Sequence, residues 1–308
     1  MGSPAHRRNL LILHLTVMVW GFTGILGNLI SISAIPLVWY RVLIAAASLA
    51  LYFWFKGHAF AVSRKAFIQF FLTGGLVGLH WVLFFESIKV STVSVTLVCL
   101  SSVTLFTAII EPLFYKRPTS KMEVLVGLLI VVGIYFIFKF ESEYVLGIVL
   151  GLLAALSAAL FGTINSKLVK KNGATIISLY EMFGAGVWVS VFVLVSGGFD
   201  DGMKPVGRDW AYLLLLGTVC TSGAYVAAVS VMKEISAFRV ALASNLEPLY
   251  GILLAWQFIG FFVRKYGFLT LTDQEYIENF TGHQGTIIGH KFVTPIRARQ
   301  PAPYCAQT

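Results

Sequence analysis

The stretch 145–168, VLGIVLGLLAALSAALFGTINSKL, decides the fold, because it carries a single charged side chain, Lys167, next to its end. A helix rises about 1.5 Å per residue, so about 20 apolar residues cross the roughly 30 Å of hydrocarbon in a bilayer. Within lipid, a helix satisfies all of its own backbone hydrogen-bonding groups. The stretch therefore predicts a membrane-spanning helix.

Further stretches of the same kind occur along the whole chain. The nine predicted spans cover residues 10–30, 36–55, 67–88, 93–114, 122–140, 145–168, 174–197, 210–231 and 236–262. Charged residues make up 12% of the 308 residues and hydrophobic residues 57%, whereas a soluble surface needs about 25–35% charge. Composition thus argues against a soluble protein and indicates the lipid bilayer as a partner. The net charge of +9 lies in the loops and does not form a nucleic-acid footprint.

The distribution of Lys and Arg predicts the orientation, because cytoplasmic loops are enriched in these residues. With the N-terminus inside, the inside segments hold thirteen Lys and Arg residues and the outside loops hold four. The sequence therefore predicts a multi-pass protein of the cell membrane with a cytoplasmic N-terminus.

The spans also repeat. Trp20-Gly21 in the first span matches Phe161-Gly162 in the sixth at an offset of 141 residues, and the same offset lays 35–41 on 176–182. Each half begins a five-helix unit. Because five is odd, the second copy enters the membrane from the opposite side, as in carriers built from inverted repeats. The prediction is an all-α integral membrane protein on a 5+5 plan.

The expected domains are a first repeat at 1–140, a second at 141–262 with four visible helices, and an atypical polar tail at 263–308. The tenth helix is missing or replaced by this tail, whose longest apolar stretch, 266–271, is too short to span a membrane. The tail can be a genuine divergence, a shifted reading frame or an altered chain end; one of the last two is the expected cause, since the repeat needs a partner for the fifth span.

The ninth span contains the motif SNLEPLYGILLAW at 244–256, and the third-to-fourth passage reads ESIKVSTVSV at 86–95. With Trp20-Gly21 and Arg41, these features resemble the EamA branch of the drug/metabolite transporter superfamily over about residues 8–258. The resemblance implies a ten-helix bacterial inner-membrane carrier for small metabolites, often amino acids or related compounds, which frequently works as an exporter.

The expected function is secondary transport by alternating access, with efflux of a small-molecule substrate such as an amino acid or a related amphipathic compound. Two alternatives stay open: a membrane-embedded enzyme acting on lipid-soluble substrates, and a non-transporting membrane sensor or assembly partner. The sequence contains no soluble-enzyme motif and no metal-ligand spacing. It therefore predicts no enzyme activity, catalytic residue, metal or cofactor.

Glu247 is the deepest carboxylate of the predicted spans, about eleven residues into the ninth and so near mid-bilayer. It can titrate a proton or bind a substrate amine, or it can be a buried partner of Asn245 or of a Ser or Tyr on a neighbouring helix. Pro248 beside it predicts a locally broken helix of the kind that lines transport sites.

Arg41 and Glu181 occupy adjacent positions of the repeat, in the second and seventh spans. They can act as gate charges on opposite sides of one cavity, or each can pair locally and anchor its helix.

His80 and Trp81 lie near the centre of the third span, where a titratable ring and an aromatic face fit a cavity wall. The alternative is a core histidine bonded to a helix carbonyl. Further predicted substrate-binding residues share aromatic or amide side chains inside spans: Trp20, Asn28, Tyr40, Asn165, Tyr180, Tyr225, Asn245 and Tyr250.

Overall fold

The structure is a computed structural model that describes residues 4–140, 142–197, 199–251, 253 and 254. These residues form helices joined by short connections, and none of them lies in a strand. The predicted all-α class is confirmed. The end of the ninth predicted span, the tail 263–308 and the predicted loss of the tenth helix lie outside the described residues.

Eleven α-helices are named in chain order. The first half contains α1 (Pro4–Leu29), α2 (Ala34–Lys56), α3 (Arg64–Val90), α4 (Val93–Leu100), α5 (Val103–Tyr115) and α6 (Lys121–Phe140). The second half contains α7 (Val145–Leu168), α8 (Ala174–Val195), α9 (Asp209–Leu215), α10 (Ala224–Val231) and α11 (Ala237–Ser244). Short 3₁₀ turns occur at Ser142–Tyr144 and Asp201–Met203.

Seven segments of the described chain are long and apolar enough to cross a membrane: Pro4–Leu29, Ala34–Lys56, Arg64–Val90, Val93–Tyr115, Val145–Leu168, Ala174–Val195 and Asp209–Val231. They coincide with the predicted spans one to four and six to eight. The predicted fifth span coincides with α6, and α11 forms the start of the ninth.

The distribution of side chains fits a lipid environment. Large apolar side chains point outwards, with Trp54 70%, Leu113 71% and Val195 83% exposed. Charged groups such as Arg41 and Glu181 are instead fully buried among the helices. At the centre, α3 packs against both α7 and α8. The apolar outer surface suits lipid tails, and the charged groups are kept away from lipid, where they would be costly.

Two of the predicted spans are broken at equivalent places. The helices α4 and α11 are each eight residues long. A two-residue turn follows each of them, Ser101–Ser102 after α4 and Asn245–Leu246 after α11. The chain then becomes helical again, in α5 and in the run 247–251. The break that Glu247-Pro248 predicts in the ninth span is thus confirmed, and the fourth span contains its counterpart.

Both broken spans begin after a hydroxyl side chain that caps the helix. Thr92 Oγ1 accepts a hydrogen bond of 3.1 Å from the backbone N–H of Val95, ahead of α4. Ser236 Oγ accepts one of 3.4 Å from the N–H of Arg239, ahead of α11. Such caps satisfy N–H groups that have no partner within the helix. Cap and break are separated by the same number of residues in the two halves, so both halves reproduce the same local structure.

The predicted eighth span widens into a π-helix at Leu216–Gly223, between α9 and α10. Hydroxyl groups satisfy carbonyls five residues earlier: Thr221 donates to Leu216 O at 2.7 Å and Ser222 to Gly217 O at 3.0 Å. Stretches of π-helix are rare and frequently lie at functional sites.

Candidate functional site

A cavity of about 120 Å³ lies between the two halves of the helix bundle. A single water needs about 10–15 Å³ on this measure, so the cavity has room for a small solute. Helices of both halves contribute to its wall. The lining residues are Trp20, Thr23, Arg41, His80, Trp81, Phe84, Leu97, Leu100, Ser101, Val103, Thr107, Ala158, Phe161, Gly162, Tyr225, Met232, Ala237, Val240, Ala241, Ser244 and Glu247. A mostly apolar wall with a few polar groups is typical of a small-molecule site.

The two broken spans meet at this cavity. Thr104, in the first turn of α5, donates a hydrogen bond of 3.2 Å from its hydroxyl to Oδ1 of Asn245. Ser101 and Ser244, one beside each break, both line the cavity. Broken helices that face each other at the repeat interface form the substrate site in several carrier folds.

Arg41 is 1% exposed and reaches the cavity from α2. Its Nε–H donates a hydrogen bond of 2.6 Å to Thr221 Oγ1 in the π-helical stretch. The guanidinium carbon lies 4.1 Å from the centroid of the Trp81 ring, a cation–π contact. Its Nη1 is buried without a hydrogen-bond partner among the described residues. The side chain is therefore held from two sides and keeps a free donor.

Gly217 allows the π-helical stretch to approach Arg41 closely. A Cβ atom at this position would lie 2.6 Å from Cγ2 of Ile44 and 3.1 Å from the backbone oxygen of Arg41. A larger residue would push the stretch away from α2 and with it the Thr221 hydroxyl that holds the guanidinium group.

His80 combines the two roles that its sequence context leaves open. Nδ1 lies 2.9 Å from the carbonyl oxygen of Ala154, so this nitrogen carries the hydrogen and donates it. The ring also lines the cavity and contacts Phe161 edge-on, with centroids 5.5 Å apart. Because Nδ1–H is committed to a backbone oxygen, Nε2 is the nitrogen that can accept a hydrogen bond.

A buried polar network lies behind the cavity wall. The Tyr225 hydroxyl donates to Oε2 of Glu181 at 2.8 Å, and Nδ2 of Asn165 donates to the same oxygen at 3.1 Å. Glu181 is completely buried, and its Oε1 has no partner among the described residues. Tyr225 itself lines the cavity and contacts Trp81 edge-on. The Glu181 carboxyl group is thus one hydrogen bond away from the cavity.

Glu247 lines the cavity and is 8% exposed. No hydrogen bond or ion pair of its carboxyl group is observed with the described residues, which end at 254. Gly21 permits α1 to cross close to this residue, since a Cβ at Gly21 would lie 2.8 Å from the backbone oxygen of Glu247. Trp20, the residue before Gly21, lies in the cavity wall.

A family comparison assigns this architecture. A model of the EamA-like transporter family matches residues 8–139 and again 145–272. The chain belongs to this family. It is thereby a member of the drug/metabolite transporter superfamily, a group of membrane transporters, and the two matches confirm the predicted two-repeat architecture.

One solved structure, described only as the crystal structure of a protein, has a similar fold. It superposes with a TM-score of 0.66 over 90% of this chain and 95% of its own, at 14% sequence identity. At this identity the likeness concerns the fold alone. No curated protein matches the chain.

In this EamA-like transporter, six of the predicted site residues line the cavity: Trp20, Arg41, His80, Trp81, Tyr225 and Glu247. Two more, Asn165 and Glu181, lie directly behind Tyr225. Asn245 does not line the cavity but joins the two breaks. All of these assignments stay predictions of function.

The remaining predicted residues lie elsewhere. Tyr40 contacts Trp39 and Trp210 edge-on. The Tyr180 hydroxyl donates to the carbonyl of Phe60, and the Tyr250 hydroxyl lies 3.2 Å from Nδ1 of His14. Asn28 is half-buried near the end of α1. None of these four side chains lines the cavity of the described residues.

Sequence reasoning missed Phe161 and Thr221. The repeat carries a signal for Phe161, because this residue is the counterpart of Trp20 at an offset of 141, and both line the cavity. No sequence signal connects Thr221 with Arg41, since 180 residues separate them.

A polar cluster joins helix ends at the end of the bundle where α1 ends and α9 begins, called the Asp209 end below. The Asp209 carboxylate accepts the Ser31 N–H at 3.0 Å, the Ser31 hydroxyl at 2.5 Å and the Val206 N–H at 3.3 Å. Nearby, Lys89 donates to the carbonyl oxygen of Ile30 at 2.7 Å. These bonds tie three helix ends together.

The opposite end, where α5 ends and α11 begins, is called the Glu111 end. Glu111 Oε2 accepts the backbone N–H of Phe238 at 2.9 Å, at the start of α11, where a negative charge is favourable. Arg117 bridges Glu111 and Glu123, at 3.6 Å and 2.5 Å. Its hydrogen bond to Glu123 raises the pKa of the Arg117 guanidinium group. Met232 and Ala237, at this end, belong to the cavity lining.

The described residues contain no group of three or more His, Cys, Asp and Glu side chains placed to hold a metal ion.

Proposed function

We propose that the chain is a secondary transporter that exports small metabolites, such as amino acids or related amphipathic compounds, by alternating access. The observation that carries this proposal is the cavity at the meeting point of the two broken spans, with walls from both repeats. A site shared by two halves can be exposed to either side of the membrane when one half rocks against the other.

The two ends of the bundle support this mechanism. The cavity reaches Met232 and Ala237 at the Glu111 end, whereas the bonds around Asp209 join the helices at the other end. We assign the Glu111 end to the cytoplasm, because Lys and Arg concentrate there. Access from the cytoplasm and closure towards the outside is the arrangement with which an export cycle begins.

The proposed mechanism includes a second repeat that is inverted relative to the first. The equal distance from cap to break in α4 and α11 supports a common origin of the two halves, and the odd number of spans in each half supplies the opposite polarity. We place the chain in the bacterial inner membrane on the basis of the family resemblance.

The proposal is tested by counterflow, in which proteoliposomes preloaded with unlabelled solutes take up a labelled panel of amino acids and related compounds. Gly162→Leu is the informative variant. Gly162 lines the cavity, and a Cβ there would meet no atom within 4 Å, so the larger side chain enters the cavity without a backbone clash. We expect this variant to fold and to lose exchange.

Gly133→Leu is the matched control, because Gly133 also sits inside a helix with open space around its Cβ, but lies on α6 away from the cavity. It is expected to retain exchange. Equal exchange in both variants would show that the cavity is not the transport path, and absence of exchange for every panel member in the parent protein would exclude the proposed function.

A further inference from the structure

We propose that Arg41 binds the carboxylate group of the transported solute, so that carboxylate-bearing compounds are the substrate class of this cavity. The inference rests on the proposed transport function, which it makes specific. It assigns to Arg41 a binding role in place of the gating role that its repeat position suggests.

The first argument is the missing counter-charge. Arg41 is 1% exposed, and no carboxylate of the described residues lies within ion-pair distance of its guanidinium group. A charge that is buried without an opposite charge is strongly unfavourable. The buried acid behind the wall, Glu181, directs Oε2 to Tyr225 and Asn165 instead. An anion in the cavity supplies the missing partner.

The second argument is that the guanidinium group is prepared for a ligand. The Nε–H bond to Thr221 fixes one edge, and the Trp81 ring covers one face at 4.1 Å. The buried Nη1 has no partner among the described residues, and Arg41 borders the cavity. A planar guanidinium group fits the planar carboxylate group better than a spherical ion, because it can donate two parallel hydrogen bonds.

The third argument comes from the remaining wall. Arg41 is the only Arg or Lys among the described residues that line the cavity. Trp20, Phe84 and Phe161 offer apolar surface to the body of a solute, and Glu247 is the acidic group of the lining. The site thus matches a solute with one carboxylate and an apolar body, and it offers a second polar contact to a solute that also carries an amine.

The test compares acids with their uncharged amides in the purified full-length protein. Butyrate, 3-methylbutyrate, 3-phenylpropionate and L-phenylalanine are each paired with the corresponding amide, and binding is measured by the shift of thermal unfolding and by tryptophan fluorescence. We expect at least one acid to bind about tenfold or more tightly than its amide, because hydrogen bonds between charged groups are stronger than those of a neutral amide. If no acid binds more tightly than its amide, the proposal is overturned.

The variant Arg41→Gln should remove this preference, while Arg64→Gln, at the exposed start of α3, should leave it unchanged. Arg41→Lys keeps the charge but not the planar group, so an intermediate preference is expected. Should Arg41→Gln fail to fold, the acid and amide pairs in the parent protein still decide the question.

Three further outcomes are informative. Chloride or sulfate that protects the protein and displaces the acids, while no acid undergoes counterflow, would identify an inorganic anion site and overturn the assignment. Counterflow of amines or amides without counterflow of acids would overturn the carboxylate role but leave transport intact. Arg41-dependent binding of acids without exchange of any solute would retain the carboxylate site and exclude the transport proposal.

Discussion

Thr104 and Asn245 are joined by a hydrogen bond of 3.2 Å between side chains from the two halves of the chain. Asn245 lies in the break of the ninth span and Thr104 lies two residues beyond the break of the fourth, so this bond links the two interrupted regions. A contact between the moving halves of a carrier contributes to the balance between its two access states, because it must form or separate as the halves rock.

Replacement of Thr104 by Val should change the rate of counterflow several-fold while the protein stays folded. A neutral hydrogen bond contributes only about 0.5–1.5 kcal/mol, which is too little to unfold the bundle but enough to shift a two-state equilibrium. Counterflow rates and thermal unfolding measure the two effects. Thr218→Val is the control, since the exposed Thr218 hydroxyl bonds only to Leu214 O of its own helix. Equal effects of both variants would contradict a role for the contact between the halves.

Glu247→Gln should abolish the pH dependence of transport if the carboxyl group carries the coupled proton. The residue borders the cavity, and an amide of nearly the same shape cannot take up or release a proton. Counterflow is measured at several pH values from acidic to neutral. Glu143→Gln, in the exposed 3₁₀ turn, is the control. An unchanged pH profile of Glu247→Gln removes the residue from proton coupling.

Tyr225→Phe should destabilise the protein by about 1–3 kcal/mol, because it deprives a completely buried carboxyl group of a donor. Thermal unfolding in detergent measures this loss. The double variant Tyr225→Phe with Glu181→Gln completes a double-mutant cycle, and we expect the two effects not to add, as is usual for residues in direct contact. Additive effects would mean that the hydrogen bond contributes nothing to stability.

Asp209→Asn should open the Asp209 end. The carboxylate accepts two hydrogen bonds from Ser31 and one from Val206, and an amide retains a single accepting oxygen. In a background without native cysteines, a cysteine at Thr23 in the cavity wall should react several-fold faster with a membrane-impermeant thiol reagent added at that side. Asp201→Asn is the control, because the ion pair of Asp201 with Lys204 is exposed and is expected to contribute little to stability. Unchanged labelling would show that the Asp209 bonds do not close the cavity.

Most of the helical framework is predictable from the sequence, because a bilayer requires long apolar helices and the charged residues between them mark where each helix ends. The interruption at Asn245 is also predictable, since Pro248 stands two residues beyond its end. The equivalent interruption at Ser101–Ser102 is not, because serine is tolerated within helices and no proline or glycine stands at that point.

The site is only partly predictable, for a physical reason. In a membrane protein the outward and inward faces of a helix are both apolar, so periodicity does not separate lipid-facing aromatics from cavity-lining ones. Trp81 and Tyr225 line the cavity, whereas Tyr40 and Tyr180 pack among aromatic neighbours elsewhere. Charged residues are better guides because lipid penalises them, and Arg41, Glu181 and Glu247 all lie at or behind the cavity wall.

In the π-helical stretch Leu216–Gly223, the number of residues matters as much as their identity. An α-helix advances about 100° per residue, so deleting one residue there would rotate everything beyond it by roughly that angle. Tyr225 would then face away from Trp81 although no side chain had been altered. Relatives that retain this tyrosine but have one residue fewer in the π-helical stretch would be expected to place a different group beside the buried carboxyl of Glu181.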